Sequence, residues 1–258
     1  MNTHHSVRHP VQFVGAGPGA ADLLTVRAAQ LLAQADLVLY PGTYLDDLDA
    51  LCRPNAKLVD TQMLNLDQII SELAAGHHQG QKVVRLVSGD PSLYSAMTEQ
   101  TRRLDSAGVT WDVCPGVPAY AAAAAAIGRE LTVPELVQSV VLTRAQARST
   151  PMPAGERLDT FAETGASLVL HLAVGRIREV MDELAPLRGA DCPVVVVYRV
   201  SQPSERVIRS TVGRIADEIE RAQVRQAAVI LVGPAVGDLG NACAESHLYA
   251  ADRDRSSQ

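Results

Sequence analysis

Three short glycine-bearing stretches of this sequence contain residues that could bind a ligand. They read GAGPG at 15–19, SGDPSLY at 88–94 and PGVPAY at 115–120. Each follows an apolar run typical of a buried strand, and open α/β sheets bind their ligands at the carboxyl ends of the strands. Glycine at such a place lets a phosphate or a flat ligand approach the backbone, or simply allows a tight turn.

The first stretch fits a dinucleotide cradle poorly. That cradle requires G-x-G-x-x-G, whereas Gly15, Gly17 and Gly19 are one residue short at the last position. Pro18 removes a backbone N–H that such a loop would offer to phosphate. Asp36 precedes the second predicted strand, whereas the ribose-binding acid of that fold ends it. A nicotinamide oxidoreductase is therefore disfavoured, while a tight turn without a ligand stays open.

The other two stretches each allow a functional and a structural interpretation. Asp90 could accept a hydrogen bond from a ligand or cap the helix that follows it. Small residues after Pro118 would let a flat ligand approach the backbone, but an alanine run is also simply a good helix.

Composition narrows the class of protein. The 258 residues are 47% hydrophobic and only 3% aromatic, so the core must consist mainly of aliphatic side chains. The net charge of −6 provides no overall attraction to nucleic acid or to an anionic membrane. Cys52, Cys114, Cys192 and Cys243 lie far apart without a CxxC pair, which argues against a zinc site or a disulfide framework. No apolar run could span a bilayer and no signal peptide is evident, so we expect a cytoplasmic protein.

Strand and helix patterns alternate along the chain, which predicts an α/β protein. The helix with the clearest pattern runs from Leu66 to His78. A later helix should start after Ser92, and the next one at Pro118. The strand at 205–210 follows its predecessor too closely for a helical crossover, so this pair should be antiparallel. The predicted strands are 11–14, 37–40, 57–59, 82–87 and 111–114 in the first half, and 140–143, 168–172, 193–199, 205–210 and 227–232 in the second.

In this order and spacing, the three glycine stretches resemble the tetrapyrrole (precorrin) methyltransferase family over residues 11–238. The stretches GRELTVPELVQSVVLTRAQAR at 128–148 and QAAVILVGPAVG at 226–237 resemble the members that methylate carbon 11 of the macrocycle in cobalamin biosynthesis. A sibling acting at another ring position or on uroporphyrinogen III stays open, as does a non-catalytic tetrapyrrole carrier. Whether the substrate carries cobalt is also open.

The resemblance implies a two-domain tetrapyrrole methylase fold, with a mostly parallel N-terminal sheet, a mixed C-terminal sheet and a ligand cleft between the domains. The domains would cover 10–128 and 129–240, with flexible tails at 1–9 and 241–258. It implies an enzyme that uses S-adenosyl-L-methionine, holds no metal of its own and forms a homodimer, with no nucleic-acid or membrane partner.

The same resemblance assigns site residues. The cofactor contacts would be Pro18, Ser88, Gly89, Asp90, Leu93, Pro118, Ala119, Leu172, Val200 and Ala228. Because a precorrin bears acetate and propionate groups, its site should contain arginines. The substrate contacts would be Gly17, Tyr40, Tyr94, Arg129, Glu130, Arg144 and Arg148. Asp22 keeps one acid of the family pattern, with a structural role as the cap of a helix beginning at Leu23. No side chain is predicted as a general base.

Overall fold

The structure, a computed structural model, describes residues 9–42, 48–145 and 151–239. The chain divides into two compact units between Ala122 and Ala123, inside one helix. The tails predicted to be flexible, apart from His9, lie outside the described residues, as does the predicted substrate residue Arg148.

The first unit is a five-stranded parallel sheet with helices on both faces. The strand order is β3-β2-β4-β1-β5, and every neighbouring pair is parallel. Its strands are β1 (Val11–Gly15), β2 (Leu37–Tyr40), β3 (Lys57–Asp60), β4 (Val83–Val87) and β5 (Trp111–Cys114). Its helices are α1 (Val26–Gln34), α2 (Leu48–Leu51), α3 (Leu66–His78) and α4 (Met97–Ser106), while α5 (Ala119–Ile127) crosses the boundary between the units.

Successive side chains of β1 point to opposite faces of the sheet, which explains why helices pack on both faces. Val14 packs with Leu32 of α1, whereas its neighbour Phe13 packs on the other face with Leu73 of α3. Because β4, β1 and β5 are adjacent and parallel, the glycine stretches that follow them emerge at one edge of the sheet. The strand order alone therefore brings the three motifs together.

The predicted cap by Asp22 is wrong. Asp22 lies exposed in a single 3-10 turn, Ala21–Leu23, and the helix begins three residues later at Val26. Thr25 is the actual N-cap, because its hydroxyl accepts a hydrogen bond of 3.1 Å from the Ala28 N–H.

The predicted start of α4 after Ser92 is also wrong. The helix begins at Met97, and Tyr94 and Ala96 have left-handed backbones with φ of 53° and 55°. Such residues cannot continue a right-handed helix, so a turn separates β4 from α4.

The second unit is a mixed five-stranded sheet, as predicted. The order is β6-β7-β10-β8-β9, in which β6 and β7 are parallel and the other neighbours are antiparallel. On one face Leu168, Val196 and Ile230 form a core with Leu184 and Ile219 from the helices. The strands are β6 (Val140–Arg144), β7 (Ser167–His171), β8 (Pro193–Tyr198), β9 (Arg206–Thr211) and β10 (Ala228–Val232), and the helices are α6 (Leu158–Glu163), α7 (Ile177–Arg188) and α8 (Ile215–Arg221).

Candidate functional site

The loops after β1 and β4 are hydrogen-bonded to each other. Gly17 and Gly89 exchange backbone hydrogen bonds, with N···O distances of 3.1 Å from Gly17 N and 2.8 Å from Gly89 N. The Ala16 N–H donates to the Val87 carbonyl at 2.8 Å. The first two glycine stretches therefore extend the pairing of β1 with β4 beyond the strands.

The loop after β5 contacts the loops after β1 and β4 through backbone atoms of glycine. A Cβ at Gly116 would lie 2.2 Å from the Gly89 carbonyl oxygen and 2.8 Å from the Gly15 Cα. A Cβ at Gly15 would lie 2.6 Å from both Gly116 Cα and the Gly89 oxygen. Neither contact is compatible with any other residue type, so these two glycines allow three backbones to meet.

Asp90 links the second loop to the third. One carboxylate oxygen accepts from the Gly116 N–H at 2.8 Å, and the other accepts from the N–H of Ser92 at 2.9 Å and from its hydroxyl. Partial burial raises the pKa of Asp90, but the hydrogen bonds from Ser92 and Gly116 outweigh it and lower the pKa below its usual range. Of the two interpretations of Asp90, the helix cap is wrong, because α4 starts at Met97.

The hydrogen bonds of these three loops argue against phosphate binding. The N–H groups of Ala16, Gly17, Gly89 and Gly116 all donate to acceptors within the protein, and the buried Pro18 has none. A phosphate cradle requires several such donors to point at the ligand. The carboxyl edge of the first sheet therefore offers these positions to a ligand as carbonyl oxygens and apolar groups.

The start of α5 lies beside the second loop. A Cβ built at Gly89 would lie 3.7 Å from Pro118 Cα and from the Ala119 nitrogen, which is ordinary contact distance. Two further predicted residues, Leu93 and Tyr94, follow the same loop. Leu93 is half-buried, and Tyr94 is 47% exposed on its left-handed backbone. Of the predicted residues in the first unit, the structure brings together Gly17, Ser88, Gly89, Asp90, Pro118 and Ala119.

Tyr40 has a partly structural role. Its ring packs against the core beside α1, and its carbonyl accepts from the N–H and the hydroxyl of Thr61. Asp36 is structural as well, since it pairs with Arg53 and accepts from the Lys82 N–H at 2.7 Å.

The second unit gathers four predicted residues at one edge of its sheet. Arg144 ends β6 beside the end of β7, and Leu172 directly follows β7. Ala228 begins β10 opposite Tyr198, the last residue of β8, and Val200 lies two residues beyond it. Leu172, Val200, Ala228 and Arg144 therefore share this edge.

Several residues at this edge have strained backbones. Leu172 has φ of 53° and is 72% exposed, an unusual combination for a large apolar side chain. Arg199, Ser201 and Ala227 also have left-handed backbones, with φ of 45°, 65° and 55°. Each such residue costs of order 1–3 kcal/mol, and residues of this kind concentrate at functional sites. Val200, between two of them, is 5% exposed and belongs to the interior.

Arg129 and Glu130 lie elsewhere in the second unit. The residue that follows them, Leu131, accepts at its carbonyl from the Ser167 hydroxyl at 2.7 Å, which is the beginning of β7. Arg144 lies beside the end of the same strand, about 13 Å away along the strand direction. The structure therefore does not place the Arg129 backbone with Arg144.

Sequence reasoning missed Arg85 and Gln100, two buried polar residues below the second loop. Arg85 is 7% exposed and Gln100 is 2% exposed, and their side chains are hydrogen-bonded at 3.0 Å. An arginine inside the apolar run KVVRLV was the available signal. Burial lowers the pKa of Arg85 to about 10, so its guanidinium is still charged at neutral pH.

Within residues 9–42, 48–145 and 151–239, no three His, Cys, Asp or Glu side chains are grouped as a metal ion would require. No helix there has the length and apolar character needed to cross a membrane.

The fold defines an α/β protein with one parallel and one mixed five-stranded sheet, and comparison with known proteins identifies its family. Residues 10–216 match the model of the Tetrapyrrole (Corrin/Porphyrin) Methylases. The chain belongs to this family.

Individual relatives extend the match to nearly the whole chain. A precorrin-4 C(11)-methyltransferase of Rhodococcus erythropolis is 48% identical over 247 residues, which is 95% of this chain and 98% of that protein. The structure of the cobalt precorrin-4 methyltransferase CbiF, a cobalamin biosynthetic enzyme, matches with a TM-score of 0.85 and 38% identity, over 88% of this chain and 96% of that one. A uroporphyrin-III C-methyltransferase of Thermus thermophilus, in complex with S-adenosylhomocysteine, matches with a TM-score of 0.74 and 29% identity, over 88% and 99%.

Proposed function

We propose that the protein transfers a methyl group from S-adenosyl-L-methionine to carbon 11 of precorrin-4 or of its cobalt form, in the construction of the cobalamin ring. The near full-length similarity to the Rhodococcus erythropolis enzyme carries this proposal. The similarity to CbiF supports the inclusion of the cobalt form. Homodimerisation and a cytoplasmic location stay predictions.

The chemistry is a displacement at the methyl carbon. When bound, S-adenosylmethionine supplies a methyl group on a positively charged sulfur. A bond forms from ring carbon 11 to the methyl carbon while the S–CH₃ bond breaks, so the bonding electrons go to sulfur and S-adenosylhomocysteine leaves neutral at that atom. The positive charge passes to the macrocycle and is removed when the ring loses a proton. If the protein aligns the sulfur, the methyl carbon and ring carbon 11, this orientation can lower the barrier by as much as about 7–11 kcal/mol.

The residues at both edges fit a cofactor that carries no phosphate. The N–H groups of Ala16, Gly17, Gly89 and Gly116 donate within the protein, and the exposed Leu172 offers an apolar surface suited to an adenine ring. Asp90 already accepts three hydrogen bonds, which supports a role in shaping the loop in addition to any contact with the cofactor. The proposed cofactor contacts are Pro18, Ser88, Gly89, Asp90, Leu93, Pro118, Ala119, Leu172, Val200 and Ala228.

Substrate binding would depend on cationic groups. The Arg144 guanidinium donates to the carbonyls of Ala145 and Pro151, at 3.4 and 3.2 Å, and these neutral acceptors would compete weakly with an incoming carboxylate. Glu130 accepts from the hydroxyl of Thr132, which supports a local structural role beside any contact with the substrate. The proposed substrate residues are Gly17, Tyr40, Tyr94, Arg129, Glu130, Arg144 and Arg148.

Incubation with precorrin-4 and, separately, cobalt-precorrin-4, in the presence of methyl-labelled S-adenosylmethionine, tests the proposal. NMR of the product should place the label on carbon 11 with at least one of the two substrates. Label on another carbon would identify a sibling activity. Tetrapyrrole binding without methyl transfer would identify a carrier. Binding of NADH in place of S-adenosylmethionine would favour the nicotinamide oxidoreductase hypothesis.

A further inference from the structure

The turn between β4 and α4 is strained and sits beside two proposed ligand contacts. Tyr94 and Ala96 have left-handed backbones, and neither is glycine. Such conformations persist only where the surroundings determine them. Leu93 immediately precedes these residues. The contacts that fix the turn at 94–96 therefore also set the positions of Leu93 and Tyr94.

The buried side chain of Gln100 is hydrogen-bonded to this turn. Its side-chain amide nitrogen donates to the carbonyls of Ser95 and Ala96, at 3.1 and 3.2 Å. The side chain is 2% exposed, so water cannot readily replace these hydrogen bonds.

Arg85 holds the oxygen end of the Gln100 amide. An amide can rotate by a half-turn and exchange its oxygen and nitrogen, but the guanidinium of Arg85 can only donate. Arg85 Nε donates to Gln100 Oε1 at 3.0 Å, so the amide nitrogen must face the two carbonyls of the turn. Without Arg85, the buried Oε1 would lose this donor, and only the contacts with the turn would fix the amide.

Arg85 is itself held from the ends of neighbouring strands. The Thr61 hydroxyl donates to the Tyr40 carbonyl at 3.0 Å, so its lone pair is available to Arg85 Nη1 at 3.2 Å. Nη1 also lies 3.5 Å from the Leu39 carbonyl and 3.4 Å from that of Leu86. The chain of contacts thus runs from the end of β3, through Arg85 and Gln100, to the turn.

We propose that Arg85 and Gln100 are positioning residues for methyl transfer, which hold the turn at 94–96 and thereby place Leu93 toward the cofactor and Tyr94 toward the tetrapyrrole. This inference rests on the proposed function for the identity of the two ligands. The hydrogen-bonded chain itself does not depend on them.

Two variants separate the contributions. Gln100→Glu keeps the size and an acceptor for Arg85 but removes both donors to the turn. Arg85→Met keeps Gln100 and removes the donor to its Oε1. Arg102→Met, at an exposed arginine on the same helix, is the matched control. If Arg85→Met fails to fold, Gln100→Glu carries the test alone.

Hydrogen exchange measured by mass spectrometry should show about fivefold faster exchange in the segment 91–100 of both variants, with the rest of the first unit and the control unchanged. The dissociation constant for S-adenosylmethionine and the KM for the tetrapyrrole should each rise about tenfold, equivalent to about 1.4 kcal/mol. The double variant should be no worse than the more affected single variant, because both changes break one chain.

Unchanged exchange in this segment would overturn the proposal, and so would faster exchange with unchanged ligand constants. Effects that add in the double variant would contradict a single chain of contacts. If the wild-type protein neither binds S-adenosylmethionine nor methylates a tetrapyrrole, the proposed function fails. The exchange measurement still decides whether Arg85 and Gln100 hold the turn.

Discussion

Adding one methyl group at Gly116 should separate the three loops. The new Cβ would lie 2.2 Å from the Gly89 carbonyl oxygen, whereas ordinary contact begins at 3.4 Å, so the loops must move apart by about 1.2 Å (3.4 − 2.2). The neighbouring contact to Gly15 Cα, at 2.8 Å, prevents a shift in that direction. The same movement would stretch the Gly116 N to Asp90 hydrogen bond from 2.8 Å to beyond bonding range.

The expected cost combines two effects. Overpacking a close contact typically costs about 1–3 kcal/mol. Loss of the hydrogen bond to Asp90 adds about 1 kcal/mol. Gly116→Ala should therefore lower the free energy of unfolding by about 2–4 kcal/mol and Tm by on the order of 10 °C. It should also weaken S-adenosylmethionine binding, since the proposed contacts at 88–90 move with the loop.

Urea unfolding and calorimetric titration with S-adenosylmethionine would measure both effects. Gly89→Ala is a graded comparison, because its Cβ has room at 3.7 Å but its φ of +66° costs about 1–2 kcal/mol. Gly155→Ala is the control, with nothing within 4 Å, and should change stability by less than about 0.5 kcal/mol. A stability of Gly116→Ala equal to wild type, or above that of Gly89→Ala, would refute the close-packing argument.

Three further predictions concern side chains. Asp90→Asn keeps one acceptor oxygen, whereas the N–H groups of Ser92 and Gly116 donate to two different oxygens of Asp90. The free energy of unfolding should therefore fall by about 1 kcal/mol. Because the folded-state pKa of Asp90 is lowered, its contribution is present at neutral pH and is lost as the pH falls below about 4. Urea unfolding against pH should therefore show a shallower acid loss in Asp90→Asn, and an identical slope would contradict this role. Leu172→Ala should leave stability within about 0.5 kcal/mol, since the side chain is 72% exposed, yet raise the dissociation constant for S-adenosylmethionine about tenfold. Titration calorimetry that finds wild-type affinity would remove Leu172 from the cofactor site. Arg129→Ala and Arg144→Ala should each weaken tetrapyrrole binding about tenfold without changing S-adenosylmethionine binding. Equal losses for both ligands in calorimetry would disprove this division of roles.

Much of the fold follows from local sequence. The strand limits agree with prediction to within a residue or so, because apolar runs between turns specify buried strands directly. The limits of α3 were predicted correctly, and its capping box is formed by neighbours, Asn65 and Gln68. The antiparallel pair β8 and β9 also followed from a local feature, the short connection between them.

The errors occur where distant contacts decide the backbone. The starts of α1 and α4 follow the loops after β1 and β4, which are fixed by the mutual hydrogen bonds of Gly17 and Gly89. Asp90 has its decisive partner at Gly116, 26 residues away, so nearby sequence suggested only a cap or a ligand contact. No pattern within one segment reveals such a partner.

The two edges reach their backbone conformations in different ways. The first unit uses glycines at Gly15, Gly89 and Gly116, so close backbone contacts form without a side chain to displace. The second unit forces residues with side chains, Leu172 among them, into left-handed conformations at its strand ends. Glycine would relieve that strain but would remove the apolar surface. A strained, exposed leucine is costly to the fold, and strain of this kind concentrates at functional sites. It therefore supports the proposal that the second edge, although it contains no glycine motif, contributes to ligand binding.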